Sequence, residues 1–572
     1  MESTRSIRSV RCTDDQYLRR HTPATTPSPT PRSRTVHRPR TPAETEPSPA
    51  AEPSPAAEPS LAAEQSFAAE QSFAAEQSFA AELRTVRPAL LPRYAAGLPG
   101  ARAAVLTRLW RGLVHEPLPW ITHREPGSGG MTLHLADGRR LHGPHSDAYG
   151  TAASVAEVEL DGTAYDHPAA LMTALSFPYG DGFAAELDHS VASLALSRAD
   201  QPPPGHPRTT WEWEQRIVDG HPFHPNCRSR PGFSVAEQLA YGPEHRPLVE
   251  LGLVAVPEET CLVSGEWPYR EAGGRTVIPV HPWQARHVLK DERIVDGTGI
   301  TAHPLMSLRT LADATPGGPH IKTALSARLT SAVRDISVYS IETAATVSAF
   351  LEAVAARLDG LLHITRTLGA VTAHTPDLAA VVREAPETYA AEGERVVPVA
   401  ALATTEQARS ASWRAEFTRL ALTVSLRLLD LGVALEAHGQ NLLVVLSPSG
   451  APTRLIYRDL ADIRISPARL ARHGIPAPDL SGRLITDDET TLRRKLFGSL
   501  VTGTLGATAG SSASLGEALA TAVRDLPPSP DLATLLNGPL PTKALTLMRL
   551  SPRGPGDIWA QVPNPLAPGH PS

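Results

Sequence analysis

The chain has 572 residues, a net charge of −6 and 20% charged residues. That length holds roughly two to four domains with real cores, and the near-neutral balance gives no sign of a nucleic-acid or membrane-surface partner. Its three cysteines, Cys12, Cys227 and Cys261, form no CxxC pair and no disulfide framework; no apolar stretch reaches the ~18 residues of a membrane span, so a reducing cytoplasm is the expected setting.

Residues 1–82 read as a disordered low-complexity tail. It opens on an Arg-, Ser- and Thr-rich segment with no apolar h-region, which argues against a secretory signal. Hexapeptides follow: AAEPSP, AAEPSL and three copies of AAEQSF. A six-residue step turns a helix by ~240°, so Phe67, Phe73 and Phe79 form no stripe and the tract builds no core. From about Leu83 the sequence is globular. Residues 83–210 mix helical patches with strand-like runs such as Met131 to Leu135, and close on a Pro-rich linker at 202–207.

Residues 211–400 form the next expected domain. Trp211 to Val218 reads as a helix leading into GHPFHPNCRSRPGF. There the prolines after His221 and His224 push each histidine into extended backbone, with Arg228 and Arg230 close behind. A stiff positive loop for a carboxylate or phosphate is the favoured reading. A metal bound by the two histidines and Cys227 is a second, and a Pro-rich turn with incidental histidines a third. A strand at Thr276 to Val280 ends in HPWQ, and SLRT follows at Ser307 to Thr310. Ile321 to Leu329 partly alternates and reads as a strand carrying Lys322. Thr330 and Ser331 before Ala332-Val333-Arg334 read as a helix N-cap, either an anion site or an ordinary capped helix. Residues 341–400 look mainly helical.

Residues 401–572 form the last expected domain. Trp413 to Leu431 is the longest amphipathic helix candidate, stopped by Gly432. Glu436, His438, Gln440 and Asn441 then run into the apolar Leu442 to Leu446, a Ser/Pro/Gly turn, and Leu455 to Tyr457 before Arg458 and Asp459. This reads as a hairpin over the buried helix, bringing Asn441 and Asp459 to one end. An amide oxygen and a carboxylate there suit Mg²⁺; the plainer reading is a surface hairpin with polar ends. Residues 490–525 look helical, and Lys543 falls on an otherwise apolar helix, where a lysine usually snorkels to water.

No P-loop, GxSxG, HExxH or useful GxGxxG is present, yet cations and oxygen ligands for a nucleoside triphosphate are. In order, GHPFHPNCRSRPGF, the following Tyr241-Gly242-Pro243-Glu244, HPWQ, SLRT, Lys322 with TSAVR, EAHGQN, YRD and TKALTLMRL resemble the NRPS-independent siderophore synthetases, the aerobactin-synthetase family, over roughly residues 90–555. The resemblance implies an α+β enzyme with thumb, fingers and palm lobes around one cleft, the palm carrying the kinase-like hairpin. It implies ATP and Mg²⁺, and condensation of citrate or another carboxylic acid with an amine, hydroxylamine or alcohol through an acyl-adenylate. Ser307, Arg309, Lys322, Thr330, Ser331 and Arg334 would surround the phosphates. His438, Gln440, Asn441 and Asp459 would hold nucleotide and metal from the other side, and Arg334, His438 and Lys543 would face the carboxylate. Either His438 or solvent would take the amine proton. Family members are often dimers, which implies a homodimer. Arg228 stands where the family usually has Lys, and Ala461-Asp462 where Gly is common. Two rivals remain: a small-molecule phosphotransferase, which would make ADP rather than AMP and pyrophosphate, and a non-catalytic carboxylate- or siderophore-binding protein.

Overall fold

A computed structural model of the chain describes residues 74–202, 205–271, 273–290, 299–329, 332–551 and 556–567. Its first element, the helix Ala74–Val86, begins inside what reads as tail. The expectation fails for residues 74–82 because it compared phenylalanines between repeats. Within this helix the pair that counts is Phe79, which ends the last copy, and Leu83 beyond it, four residues apart on one helix face, and both are buried. Glu76 on the same helix receives Arg102 at 2.8 and 2.6 Å and meets His167 at 3.1 Å.

This helix packs with Leu91–His115, the longest in the described chain at 25 residues. It thus displaces Ala411–Leu431, with 21, from the rank the sequence suggested. Beside them lie the helices Pro168–Leu175 and Gly180–Ala199 and a five-stranded antiparallel meander between Ile121 and Tyr165. Leu83, Leu106, Trp110, Leu133 and Leu187 share one core, and Ala544, Leu547 and Ala560 from the far end of the chain join it. The carboxylate that ends this region's long helix makes the join: Glu116 accepts from the Thr546 and Leu547 amides at 3.0 and 2.8 Å.

The middle of the chain builds a nine-stranded antiparallel sheet. Here local signals misled. Ile321 to Leu329 is two strands, His320–Thr323 and Leu325–Leu329. Ala332–Arg334 is a strand paired back onto Leu325–Leu329, not a first helical turn; the β-branched Val333 fits that pairing. The helix starts only at Val338, where Ser337 accepts from the Ser340 amide at 3.2 Å. Trp211 to Val218 shrinks to the helix Thr210–Glu214, closed by a Thr209/Glu212 capping box. Residues 341–400 are helical only in their first part: after Ala344–Ala355 they supply strands at Leu362–Ile364, Thr367–Thr372, Ala379–Arg383 and Arg395–Pro398.

The hairpin is as read. Leu442–Leu446 pairs antiparallel with Pro452–Tyr457, Leu442 facing Tyr457. All five residues of its first strand are buried, because both faces are covered. Leu442, Val444 and Leu446 share a core with Phe417 and Leu428 of the helix beneath, while Leu443 and Val445 pack with Val396 and Ile456. No helix among the described residues is long and apolar enough to cross a membrane.

Candidate active site

The hairpin register fixes the first geometric fact. The Arg458 amide donates to the Asn441 carbonyl at 3.0 Å, so the residue before the first strand and those after the second lie at the same end. Asp459 then turns with φ of 69°, leaving the strand direction and pointing its carboxylate at the nine-stranded sheet. Lys322 reaches it from the strand His320–Thr323, its Nζ 2.6 and 2.9 Å from the two oxygens. The pair joins the middle of the chain to its final third, the two walls the sequence expected to meet.

A cavity of about 230 Å³ opens beside this pair, lined by Arg309, Lys322, Arg383, Asp459 and Arg483 among polar groups and by Ile336, Val347, Val381 and Leu460 among apolar ones. Burial would raise the Asp459 carboxyl, but Lys322, then Arg383 and Arg309, outweigh it and hold it far below the usual carboxylate range. Burial also pushes the Lys322 ammonium down to about 8 and the Arg309 guanidinium down to about 10. Arg309 donates to the carbonyls of Arg334 and Asp335. Ser307 accepts from the Thr310 amide at 3.2 Å, tying the turn that presents Arg309. Thr330 and Ser331 lie outside the described residues.

His438 stands in a second group of charged side chains. Burial lowers its pKa; Glu436, Lys543, Asp459 and Arg334 are its charged neighbours, in that order of influence. Lys543 sits on the strand Leu540–Lys543, not on a helix, and bonds Glu436 at 3.2 Å and Asp557 at 3.1 Å. His221 belongs to the same group: it is solvent-exposed, yet the surrounding protein atoms, then the charges of His438, Arg108, Arg111 and Lys543, lower its pKa. Its Nδ1 accepts from the Phe223 and His224 amides at 3.2 and 3.1 Å, so its Nε2–H is the outward donor.

Other residues of that motif are elsewhere. Arg228 and Arg230 hold no site for an outside anion. Both close on Glu244, at 3.2 and 2.9 Å, with all three side chains buried. Glu244 is the acidic partner that reading the motif alone did not supply; it comes from the Tyr241-Gly242-Pro243-Glu244 segment. His224 is buried, and its Nδ1 accepts from the Asn226 amide at 3.0 Å. Cys227 is buried against Ser190, Sγ to Oγ 3.7 Å, and forms no metal-type group with the two histidines among the described residues. Arg458 of YRD is likewise spent internally, on Glu214 at 2.6 Å and the Gln440 carbonyl at 2.8 Å. Asp462, of the Ala461-Asp462 departure, pairs with Lys495 at 2.7 Å. Arg383 was missed because its strand lay within residues read as helical.

Asn441, buried, and Asp459 offer one amide and one carboxylate oxygen at the hairpin end. That donor set fits Mg²⁺, which takes most of its shell from phosphates and water. One tight group of His and acidic side chains, Glu76, His167 and Asp188, does occur in the N-terminal core. There the Ala169 amide donates to His167 Nδ1, leaving the Nε2 proton toward Glu76, and Arg102 already holds that carboxylate. It is an ion-pair cluster.

Residues 209–404 match the IucA / IucC family, and residues 411–557 match the family described as ferric iron reductase FhuF-like transporter. The 2-[(L-alanin-3-ylcarbamoyl)methyl]-3-(2-aminoethylcarbamoyl)-2-hydroxypropanoate synthase of Staphylococcus aureus is 26% identical over 46% of this chain and 53% of its own. The citryl-spermidine/3,4-dihydroxybenzoyl-citryl-spermidine:spermidine ligase of Bacillus anthracis is 26% identical over 43% and 50%. The chain thus spans about half the length of these curated relatives. In fold it matches the petrobactin biosynthesis protein AsbB of B. anthracis, with TM-score 0.69 and 19% identity over 83% of this chain and 98% of that one. It also matches the ATP-bound aerobactin synthetase IucA of Klebsiella pneumoniae, with TM-score 0.60 and 20% identity over 82% and 99%.

Proposed function

We infer that this cleft joins a carboxylic acid to an amine at the expense of ATP, in a chain that belongs to the IucA/IucC family over residues 209–404. The carrying observation is the Lys322–Asp459 contact beside a cavity rich in cations. A carboxylate oxygen attacks the α-phosphorus of ATP and pyrophosphate leaves; an amine nitrogen then attacks the acyl carbon and AMP leaves. In the first step two anions must approach. Lys322, Arg309 and Arg334 neutralise the phosphates, and Lys543, His221 and His438 face the carboxylic acid. In a site shielded from water such charges act strongly, and holding both reactants removes much of the entropic barrier. His438 is neutral near pH 7, since burial lowers its pKa, so it is available to accept the proton the amine loses. Mg²⁺ held by Asp459 and Asn441 would add charge neutralisation at the phosphates.

Citrate is the leading acid class, because two relatives are named as a citryl-spermidine:spermidine ligase and a D-ornithine–citrate ligase. The same reading carries the three-lobed thumb, fingers and palm layout, a homodimer and cytoplasmic residence. Residues 411–557 contain no cysteine, so a thiolate-bound iron–sulfur centre has no ligands within that segment. The test is a screen of carboxylic acids against polyamines and hydroxylamines with ATP and Mg²⁺. Acid-dependent release of AMP and pyrophosphate supports the ligase. ADP would mark a phosphotransferase, and no nucleotide turnover a binding protein.

A further inference from the structure

Arg383 ends the strand Ala379–Arg383, and the sheet register decides where it points. Val381 pairs with Lys322, and residues two apart on a strand share a face, so Arg383 stands on the Lys322 side, about 7–8 Å from it along the diagonal. It is 5% exposed, yet it lines the cavity. Its Nε has no hydrogen-bond partner, and no carboxylate lies within ion-pair distance among the described residues. Other arginines of the neighbourhood are occupied: Arg458 by Glu214 and Arg366 by Glu384. Arg309, Lys322, Arg383 and Arg483 outnumber Asp335 and Asp459 in the lining, an excess of two positive charges. A buried guanidinium without a partner costs several kcal/mol, and a fork of donors matched to oxyanions is what Arg offers over Lys.

We propose that Arg383 is a phosphate ligand of this cavity, gripping polyphosphate oxygens beside Lys322. The assignment rests on the nucleotide reading of the cleft, so its test uses probes that separate the two. Calorimetry on the full chain measures ATP, inorganic tripolyphosphate and adenosine, with Arg383→Gln and Arg383→Lys compared with the unaltered protein. Charge-assisted hydrogen bonds of this kind are worth about 10- to 100-fold in affinity. The Gln variant is expected to lose that factor for ATP and tripolyphosphate and nothing for adenosine; the Lys variant, charged but unforked, is expected to fall between. Unchanged tripolyphosphate affinity in both variants would overturn the assignment while leaving the nucleotide reading intact. An equal loss for adenosine would reduce Arg383 to a structural role. If the unaltered chain binds tripolyphosphate but not ATP, and Arg383→Gln abolishes that binding, the nucleotide reading falls and the polyphosphate ligand stands. If it binds neither, both fall. Should Arg383→Gln fail to fold, Arg383→Lys alone decides.

Discussion

In the His-Pro loop two guanidinium groups, Arg228 and Arg230, close on one carboxylate, and the Glu244 side chain is 0% exposed. Around the cavity, Lys322 alone contacts Asp459, with Arg383 and Arg309 acting on it at longer range, and the Asp459 side chain is 30% exposed and opens onto the cavity. The residue types are the same in both places. What separates them is the number of cations per acid and access to solvent: in the first, both cations contact their buried carboxylate; in the second, only Lys322 does, and positive charge stays in reserve beside a cavity. Motif chemistry alone does not tell an anion site from a buried ion pair; the location of the acidic partner does.

Removing that acid should have the largest effect. Glu244→Gln leaves two buried arginines uncompensated, which typically costs about 3–5 kcal/mol. Urea denaturation should show a loss of that size, with ATP affinity of the remaining folded protein unchanged. A weakened ATP affinity at full stability would erase the distinction between the clusters. The mirror experiment is Lys322→Ala. It should lower kcat/KM for ATP about 10²- to 10³-fold, the usual consequence of losing one charged stabiliser, with little change in denaturation midpoint because Arg383 and Arg309 still face Asp459. Arg334→Ala should likewise abolish ATP-dependent turnover while leaving the fold intact; near-normal activity would take Arg334 out of the site.

A gentler probe is pH. Lys322, pushed down to about 8 chiefly by burial, binds phosphate as the ammonium ion. ATP affinity should be flat below about pH 8 and fall up to about tenfold per unit above it, as one proton is lost. Lys322→Arg should move that limb beyond the measurable range. A limb that stays in place in the variant would assign it to another group.

How far the sequence alone revealed this follows from how local each signal is. The hairpin and its polar ends were legible because an apolar run, a Ser/Pro/Gly turn and a second run lie within about twenty residues. Lys322 and Asp459 were legible as types, and their meeting followed from the family likeness. Glu214 was not legible as the partner of Arg458, since 244 residues separate them. Arg383 was hidden by an Ala-rich stretch whose helical propensity the sheet overrode. The last AAEQSF copy was discounted because repeat spacing was weighed and the Phe79–Leu83 spacing within one helix was not.

The smallest effect is the most discriminating. Arg228 donates to the Val218 carbonyl at 2.7 Å and to the Ile217 carbonyl, besides meeting Glu244. Those carbonyls follow the short helix Thr210–Glu214 and have no helical partner, so a planar five-donor fork suits them where a single ammonium does not. Arg228→Lys should keep the Glu244 charge pair and forfeit the carbonyl bonds, losing about 1–2 kcal/mol in urea denaturation with no change in ATP or carboxylic-acid affinity. If acid affinity dropped while stability held, the loop would be a substrate site after all, and the contrast between a satisfied and an unsatisfied cluster would have to be redrawn around His221.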